Sequence, residues 1–309
     1  MTNRHASIRL DDYVSESSPI HVGVPQGLPV SPVLACVYAS EPLQNLLDNP
    51  IFTKGPKDQL IPVGPRAYVD DYGFLAISPS YQENFRALEI VLTRLLKDLD
   101  EIGLHIDPAK TDLMHFCWRN SINSQPTPPL QLTLYNKPYS LTPPSVGFVH
   151  WLGVFLDKKL TFKFHIEAMC NRGRTIISGL SCLSNTIRGL NVANERTLYN
   201  TCIIPVLTYA CPIWYNPNKP QRSLINKLEV IQNKGLQKVL GAFRTTPNTS
   251  LNVLLYVPPI ELTIRKLCEG YALRLFRLPL MSPVTQCLPK PYVPPRIHQR
   301  PKPNHLPFK

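Results

Sequence analysis

The spacing of apolar residues changes near Thr161, and that change narrows the folds open to this chain. Before it, short alternating or β-branched runs are divided by turn residues; after it, apolar side chains recur at helical spacing almost to residue 278, with interruptions near Pro205, Pro217 and Pro258. A strand-rich half followed by a helical half implies an α+β domain joined to a helical one. The expected division is 1–160, 161–278 and a last stretch, 279–309. That stretch holds nine prolines, five Lys or Arg and no acid, and reads as an extended, mobile basic tail.

Within the first half, residues 7–12 suggest a short strand entering a turn. The run Gly23-Val24-Pro25-Gln26-Gly27-Leu28-Pro29-Val30-Ser31-Pro32 must be a structured loop that ends in a helix start, with a kink or break expected at Pro42. Residues 66–77 read as a hairpin with Asp70 and Asp71 at its turn. Ser80 and Glu83 form a capping-box pattern ahead of a helix carrying Phe85, Leu88, Leu92, Leu95, Leu99 and Ile102 on one stripe, closed by Gly103. Leu130, Leu132 and Leu134 alternate as a strand. HWLGVFLD (150–157) reads as one further strand, turning at Lys158 and Lys159.

The formal net charge is +12 and the pI about 9.4, a balance that favours polyanionic partners, nucleic acid before an anionic membrane surface. The eight cysteines show no C-x-x-C pair and no zinc-type cluster with His, so neither zinc nor disulfides are expected. Ile203–Trp214, the most apolar stretch, contains two prolines and is too short to span a bilayer. The N-terminus lacks the apolar core of a signal peptide. A soluble intracellular protein is expected, with nucleus and cytoplasm both open.

Two adjacent carboxylates between apolar strands repel each other, and folding gives no reason to place them there. A divalent cation gives one, because Mg²⁺ prefers hard carboxylate oxygens together with waters or phosphates. Asp is also a favoured turn residue, so a solvated turn is the other reading of the bare pair. Lys219, Arg222, Lys227, Lys234, Lys238 and Arg244 stand against the single acid Glu229 in 219–244, while Leu224, Leu228, Ile231 and Leu236 take another face. That stripe suits a phosphate backbone, or else is a solvated helix face.

Five blocks, in order, resemble the reverse transcriptases of non-LTR, LINE-type retrotransposons. Tyr68-Val69-Asp70-Asp71 resembles the aromatic-x-Asp-Asp signature, and the 23–32 run resembles the family's GVPQG-type loop. Gly103-Leu104 with Lys110-Thr111 and Phe116, then Trp151-Leu152-Gly153-Val154 with Asp157, Leu160 and His165, resemble its GL…KT…F and primer-grip blocks. Tyr199, Pro205, Tyr209 and Trp214 resemble its helical Y…P…Y…W region. The resemblance implies a partial palm, an antiparallel sheet with packed helices, followed by a helical thumb. It implies that Asp70 and Asp71 hold Mg²⁺ in two-ion nucleotidyl transfer, and that Gly23, Pro25, Gln26, Gly27 and Tyr68 face nucleotide or template. Trp151, Leu152 and Gly153 would grip the primer, and Arg222, Lys227, Lys234 and Lys238 would track the backbone. Lys110 is either a catalytic cation near the triphosphate or a surface lysine. Implied partners are an RNA template, a DNA primer and deoxynucleoside triphosphates.

The family also needs a third metal-binding Asp upstream of the loop, and Asp11, Asp12 and Glu16, the acids before Gly23, sit in a setting that resembles a connector. The chain is therefore expected to be a truncated polymerase lacking fingers and third carboxylate, inactive alone, with an open sheet edge that weakens stability. The rival expectation is a non-catalytic RNA-binding protein that keeps palm and thumb as a scaffold.

Overall fold

The computed structural model describes residues 4–20, 28–48, 53–54, 60–61, 63–78, 80–117, 129–134, 137–181, 189–279, 282 and 284. They form two compact units: 1–149 with 157–160, and 150–156 with 161–309.

In the first unit, β1 (Arg4–Ala6) pairs with β4 (Ser18–Ile20) outside the small ribbon of β2 (Arg9–Leu10) and β3 (Tyr13–Val14), where Asp11 and Asp12 make the turn. Helix α1 (Ser31–Asp48) starts at Ser31 as expected and runs on through Pro42, so of the kink or break expected there, the break does not occur. Ala39, Pro42 and Leu46 recur on one face and are all buried, so packing of that face outweighs the backbone hydrogen bond that proline removes. A short pair, β5 (Thr53–Lys54) with β6 (Leu60–Ile61), precedes the hairpin of β7 (Val63–Tyr68) and β8 (Asp71–Ala76). Helix α2 (Tyr81–Glu101) follows, with Ser80 at its N-cap; the Ser80 side chain makes no capping bond, and the Ser80 amide instead donates to Ser78 Oγ at 3.2 Å. Gly103, at φ 73°, closes the helix as its sequence position requires.

Helix α2 carries two apolar faces. Val91, Leu95 and Leu99 join Leu46 of α1 and pack against Val63, Tyr72 and Phe74 of the β7–β8 hairpin. Phe85 joins Leu113, Leu130, Leu132 and Leu141, the last three from the hairpin of β9 (Leu130–Leu134) and β10 (Lys137–Leu141). Every sheet among the described residues is two-stranded; the β7–β8 and β9–β10 hairpins are the ones whose apolar side chains pack on helices, and no broader sheet is among them. The 150–157 strand is in fact two strands, β11 (Phe148–Trp151) and β12 (Val154–Asp157). Leu152 and Gly153, at φ 47° and 78°, form a two-residue turn between them.

The second unit is helical: α3 (Lys163–Ser181), α4 (Val192–Leu198), a π-turn over Tyr199–Ile203, α5 (Ile204–Leu207), α6 (Cys211–Trp214), α7 (Arg222–Leu240), α8 (Asn248–Leu254) and α9 (Ile260–Phe276). Its centre is α7, which buries Leu224, Ile225, Leu228, Ile231, Leu236 and Val239 and ends at Gly241 in the left-handed conformation. Gln232, buried on the same face, donates to Pro258 O and accepts from the Ile260 amide, each at 2.8 Å, tying the start of α9 to α7. No helix among the described residues is long and apolar enough to cross a membrane.

Candidate carboxylate site and nucleic-acid surfaces

The register of the β7–β8 hairpin decides where its carboxylates go. Tyr68 pairs with Asp71, Arg66 with Gly73 and Gly64 with Leu75, while Val63, Pro65 and Ala67 pair with Ala76, Phe74 and Tyr72. Strand side chains alternate faces, and Val63, Tyr72 and Phe74 face α1 and α2. The set Arg66, Tyr68, Asp71 and Leu75 therefore lies on the other face, away from the helices. Tyr68 is 64% exposed and Leu75 51%. Arg66 folds along the strand toward Gly64, 3.4 Å from where a Cβ would stand on that glycine, and donates to Pro65 O at 2.8 Å.

Between Tyr68 and Asp71 only Val69 and Asp70 make the turn, and Val69 takes φ 57°. A β-branched residue in that region is strained, at a cost of about 1–3 kcal/mol. The turn delivers Asp70 at the tip and Asp71 on the open face, both exposed. Neither side chain makes an ion pair or hydrogen bond with a described residue, which leaves their oxygens free for a cation. No group of three His, Cys, Asp or Glu side chains that could hold a metal gathers among the described residues. Tyr72, next in β8, reaches back from the covered face and donates to Ala39 O of α1 at 3.4 Å. The hairpin is thereby tied to the helix that leaves the glycine-bearing loop. Gly23, Pro25, Gln26 and Gly27 themselves lie outside the described residues.

Lys110 ends a 3-10 turn, Pro108–Lys110, that Asp107 caps by accepting from the Ala109 amide at 2.9 Å. Tyr139 of β10 fixes the same turn by donating to Pro108 O at 2.8 Å. The Lys110 ammonium stands 3.9 Å from Asp107, and no described contact joins it to Asp70 or Asp71. Beside that segment, His115 is buried against Tyr81 and Phe85, with ring centroids 4.7 and 4.9 Å away. Burial, and then the Lys158 charge, hold its imidazole below the ordinary range.

In the second unit the remaining sequence blocks meet. Tyr209 donates from its phenol to Leu152 O at 2.9 Å, at the tip of the β11–β12 turn. A Cβ on Gly153 would stand 2.8 Å from the same phenol oxygen, so only glycine admits the ring here. Leu152 in the left-handed region costs about 1–2 kcal/mol, and Tyr209 supplies the contact that holds it there. The Tyr209 carbonyl in turn accepts from Trp214 Nε1 at 2.9 Å and faces His165 Nε2 at 3.3 Å. His165 is fully buried with Nδ1 unpartnered; burial drives its pKa down, opposed by the hydrogen bond to Tyr209. Tyr199 lies on α7, where a Cβ on Gly235 would be 2.6 Å from its ring. Trp151 remains 37% exposed beside the turn.

The basic residues divide. Arg222 pairs with Glu261 of α9 at 2.5 Å, and Tyr215 also donates to Glu261, at 3.4 Å. Lys227, Lys234 and Lys238 are exposed, and their spacing of seven and four residues keeps them on one side of α7. Burial pushes the Cys170 thiol of α3 up, and the Arg174 and Lys227 charges both oppose that shift. The sequence reading missed Val69, Arg66 and the Tyr209 phenol; a β-branched residue in a two-residue turn was the available signal for the first.

No family model matches the chain. A Drosophila melanogaster protein named "Probable RNA-directed DNA polymerase from transposon BS" is 26% identical over 278 residues, 90% of this chain. RNA-directed DNA polymerases from mobile element jockey are 25% identical over 277 residues in Drosophila melanogaster and 27% over 273 in Drosophila funebris, covering 89% and 88% of the chain. The chain spans 29%, 28% and 28% of these relatives' own lengths. Along nearly all of its length, this chain is thus similar to RNA-directed DNA polymerases of insect mobile elements.

Proposed function

We propose that this chain supplies the carboxylate hairpin and the primer-holding helical region of a retrotransposon reverse transcriptase. The observation that carries the reading is the strained Val69 turn, which sets two unpaired carboxylates in succession, Asp70 at the tip and Asp71 on the open face. A turn serving folding alone would place Gly, Asn or Asp at the left-handed position. Strain kept beside unpaired acids suits a site that binds something.

Asp70 and Asp71 fit a hard divalent cation, and Mg²⁺ accepts one or two carboxylates with water and phosphate completing its shell. When bound, such ions activate a primer hydroxyl and stabilise the departing pyrophosphate oxygen. The protein's part is positional. The hairpin register fixes the spacing of the acids, Tyr72 ties them to α1, and Tyr68 offers an exposed ring on the same face as Asp71. Lys227, Lys234 and Lys238 offer a backbone-tracking stripe, and Trp151 an aromatic surface for a base or sugar. RNA template, DNA primer and deoxynucleoside triphosphates are the corresponding partners.

A second reading, a scaffold that binds RNA without chemistry, is favoured by the exposed lysine stripe taken apart from the hairpin. One titration separates the two. A fluorescent RNA–DNA primer–template should bind with affinity that falls steeply with salt, and Mg²⁺ should tighten binding in the wild type but not in Asp70→Asn/Asp71→Asn. Binding indifferent to Mg²⁺ and to both substitutions would favour the scaffold. Absence of binding would refute both readings.

A further inference from the structure

We infer that Tyr209 is a positioning residue that sets the Trp151–Gly153 turn, and with it the exposed Trp151 ring, for contact with a nucleic-acid strand. The inference rests on the reading of that turn as a primer-holding element and names the group on which its geometry depends.

Three observations converge. The turn is conformationally costly at Leu152, whose φ is 47°, so it needs an external hold. Its tip carbonyl takes a hydrogen bond from Tyr209 at 2.9 Å, and the ring sits in the space that the missing Gly153 side chain leaves open. Tyr209 is itself held, because its carbonyl engages both Trp214 Nε1 and His165 Nε2. Its neighbour Ala210 is left-handed at φ 53°, which makes the bend between α5 and α6 where the ring projects. A chain of contacts therefore runs from α3 and α6 through one phenol to the β11–β12 tip. Phe155 extends it, stacked on His150 at 4.5 Å and 6.4 Å from His165 between ring centroids. Tyr209 keeps 44% of its surface exposed, more than a core packing residue has. Trp151 is at the strand end beside the bonded carbonyl, so its ring direction follows the turn.

The test uses the full chain and Tyr209→Phe, which keeps the ring and loses one hydrogen bond. Hydrogen exchange at the amides of 151–154 should quicken. The Kd for an RNA–DNA primer–template should rise between about two- and tenfold, the range expected for one hydrogen bond. Tyr215→Phe, which removes the phenol bond to Glu261, should leave both unchanged. A merely structural role would weaken binding equally in any background, so the double variant Trp151→Ala/Tyr209→Phe is decisive and should bind no more weakly than Trp151→Ala. Should Tyr209→Phe fail to fold, Gly153→Ala displaces the turn from the other side and should give the same result. Unchanged exchange at 151–154, or additive losses in the double variant, overturns the inference. A wild-type chain that binds no primer–template would instead sink the functional reading, and exchange at 151–154 would then decide the coupling.

Discussion

Replacing Gly235 by alanine sets two opposing effects against each other, and the structure fixes which wins. In a helix interior the exchange gains about 1 kcal/mol from propensity. At Gly235 the new Cβ would lie 2.6 Å from Tyr199 Cε2 and 3.1 Å from Cδ2. Tyr199 is completely buried, and Ile177 also stands 3.5 Å from the new Cβ, so the ring has no open space to swing into. Overpacking of this kind costs about 1–3 kcal/mol, and the steric term should prevail by about 1 kcal/mol. Gly270, inside α9, has nothing within 4 Å of its missing Cβ, so Gly270→Ala should keep the propensity gain. For a unit this size 1 kcal/mol moves Tm by about 2–4 °C. Paired thermal melts by circular dichroism should therefore show Gly235→Ala below the wild type and Gly270→Ala above it. A Gly235→Ala variant as stable as Gly270→Ala would refute the seating of Tyr199 on α7.

Acidification should destabilise the fold through two buried histidines. His115 and His165 are held below their ordinary value of 6.5 chiefly by burial, so the unfolded chain takes up protons that the folded chain refuses; stability present above pH 6.5 is lost as pH falls through the two folded pKa values. Urea midpoints at pH 8, 7 and 6 check this, and a midpoint that rose toward pH 6 would contradict it. Val69→Gly should raise unfolding free energy by about 1 kcal/mol, relief of strain outweighing the added chain entropy, as urea denaturation can show. Lys227→Gln and Lys234→Gln should each lower the slope of log affinity for nucleic acid against log salt by about one. Arg222→Gln should leave that slope nearly unchanged while lowering Tm, because its partner Glu261 is only 16% exposed.

What could be read from sequence was what short-range chemistry decides. The hairpin around Asp70 and Asp71 is flanked by β-branched and aromatic residues with no competing helical period, so its existence and its turn were legible, although its first strand begins at Val63, three residues before the expected Arg66. The stripe of α2 and its stop at Gly103 were legible for the same reason. Leu152–Gly153 was not: it lacks the Asn or Asp that marks a tight turn, and Leu152 adopts its backbone only where Tyr209, 57 residues on, meets it. Pro42 signals a kink or break locally, and the buried face it shares with Ala39 and Leu46 carries the helix past it. Arg222 looked equivalent to the other cations of α7 until Glu261, 39 residues away, was placed beside it. Of the candidate site, sequence supplied the acids and the turn at which they lie; the face that Asp71 occupies came from packing of the opposite face on α1 and α2.

The account depends on Asp70 and Asp71 acting together as cation ligands. Mn²⁺ binding followed by electron paramagnetic resonance, with no nucleic acid present, tests that directly. The wild-type chain should deplete the free Mn²⁺ signal. Asp70→Asn and Asp71→Asn should each weaken binding at least about tenfold, a change of roughly 1.4 kcal/mol. Equal Mn²⁺ affinity in the wild type and both variants would contradict the account.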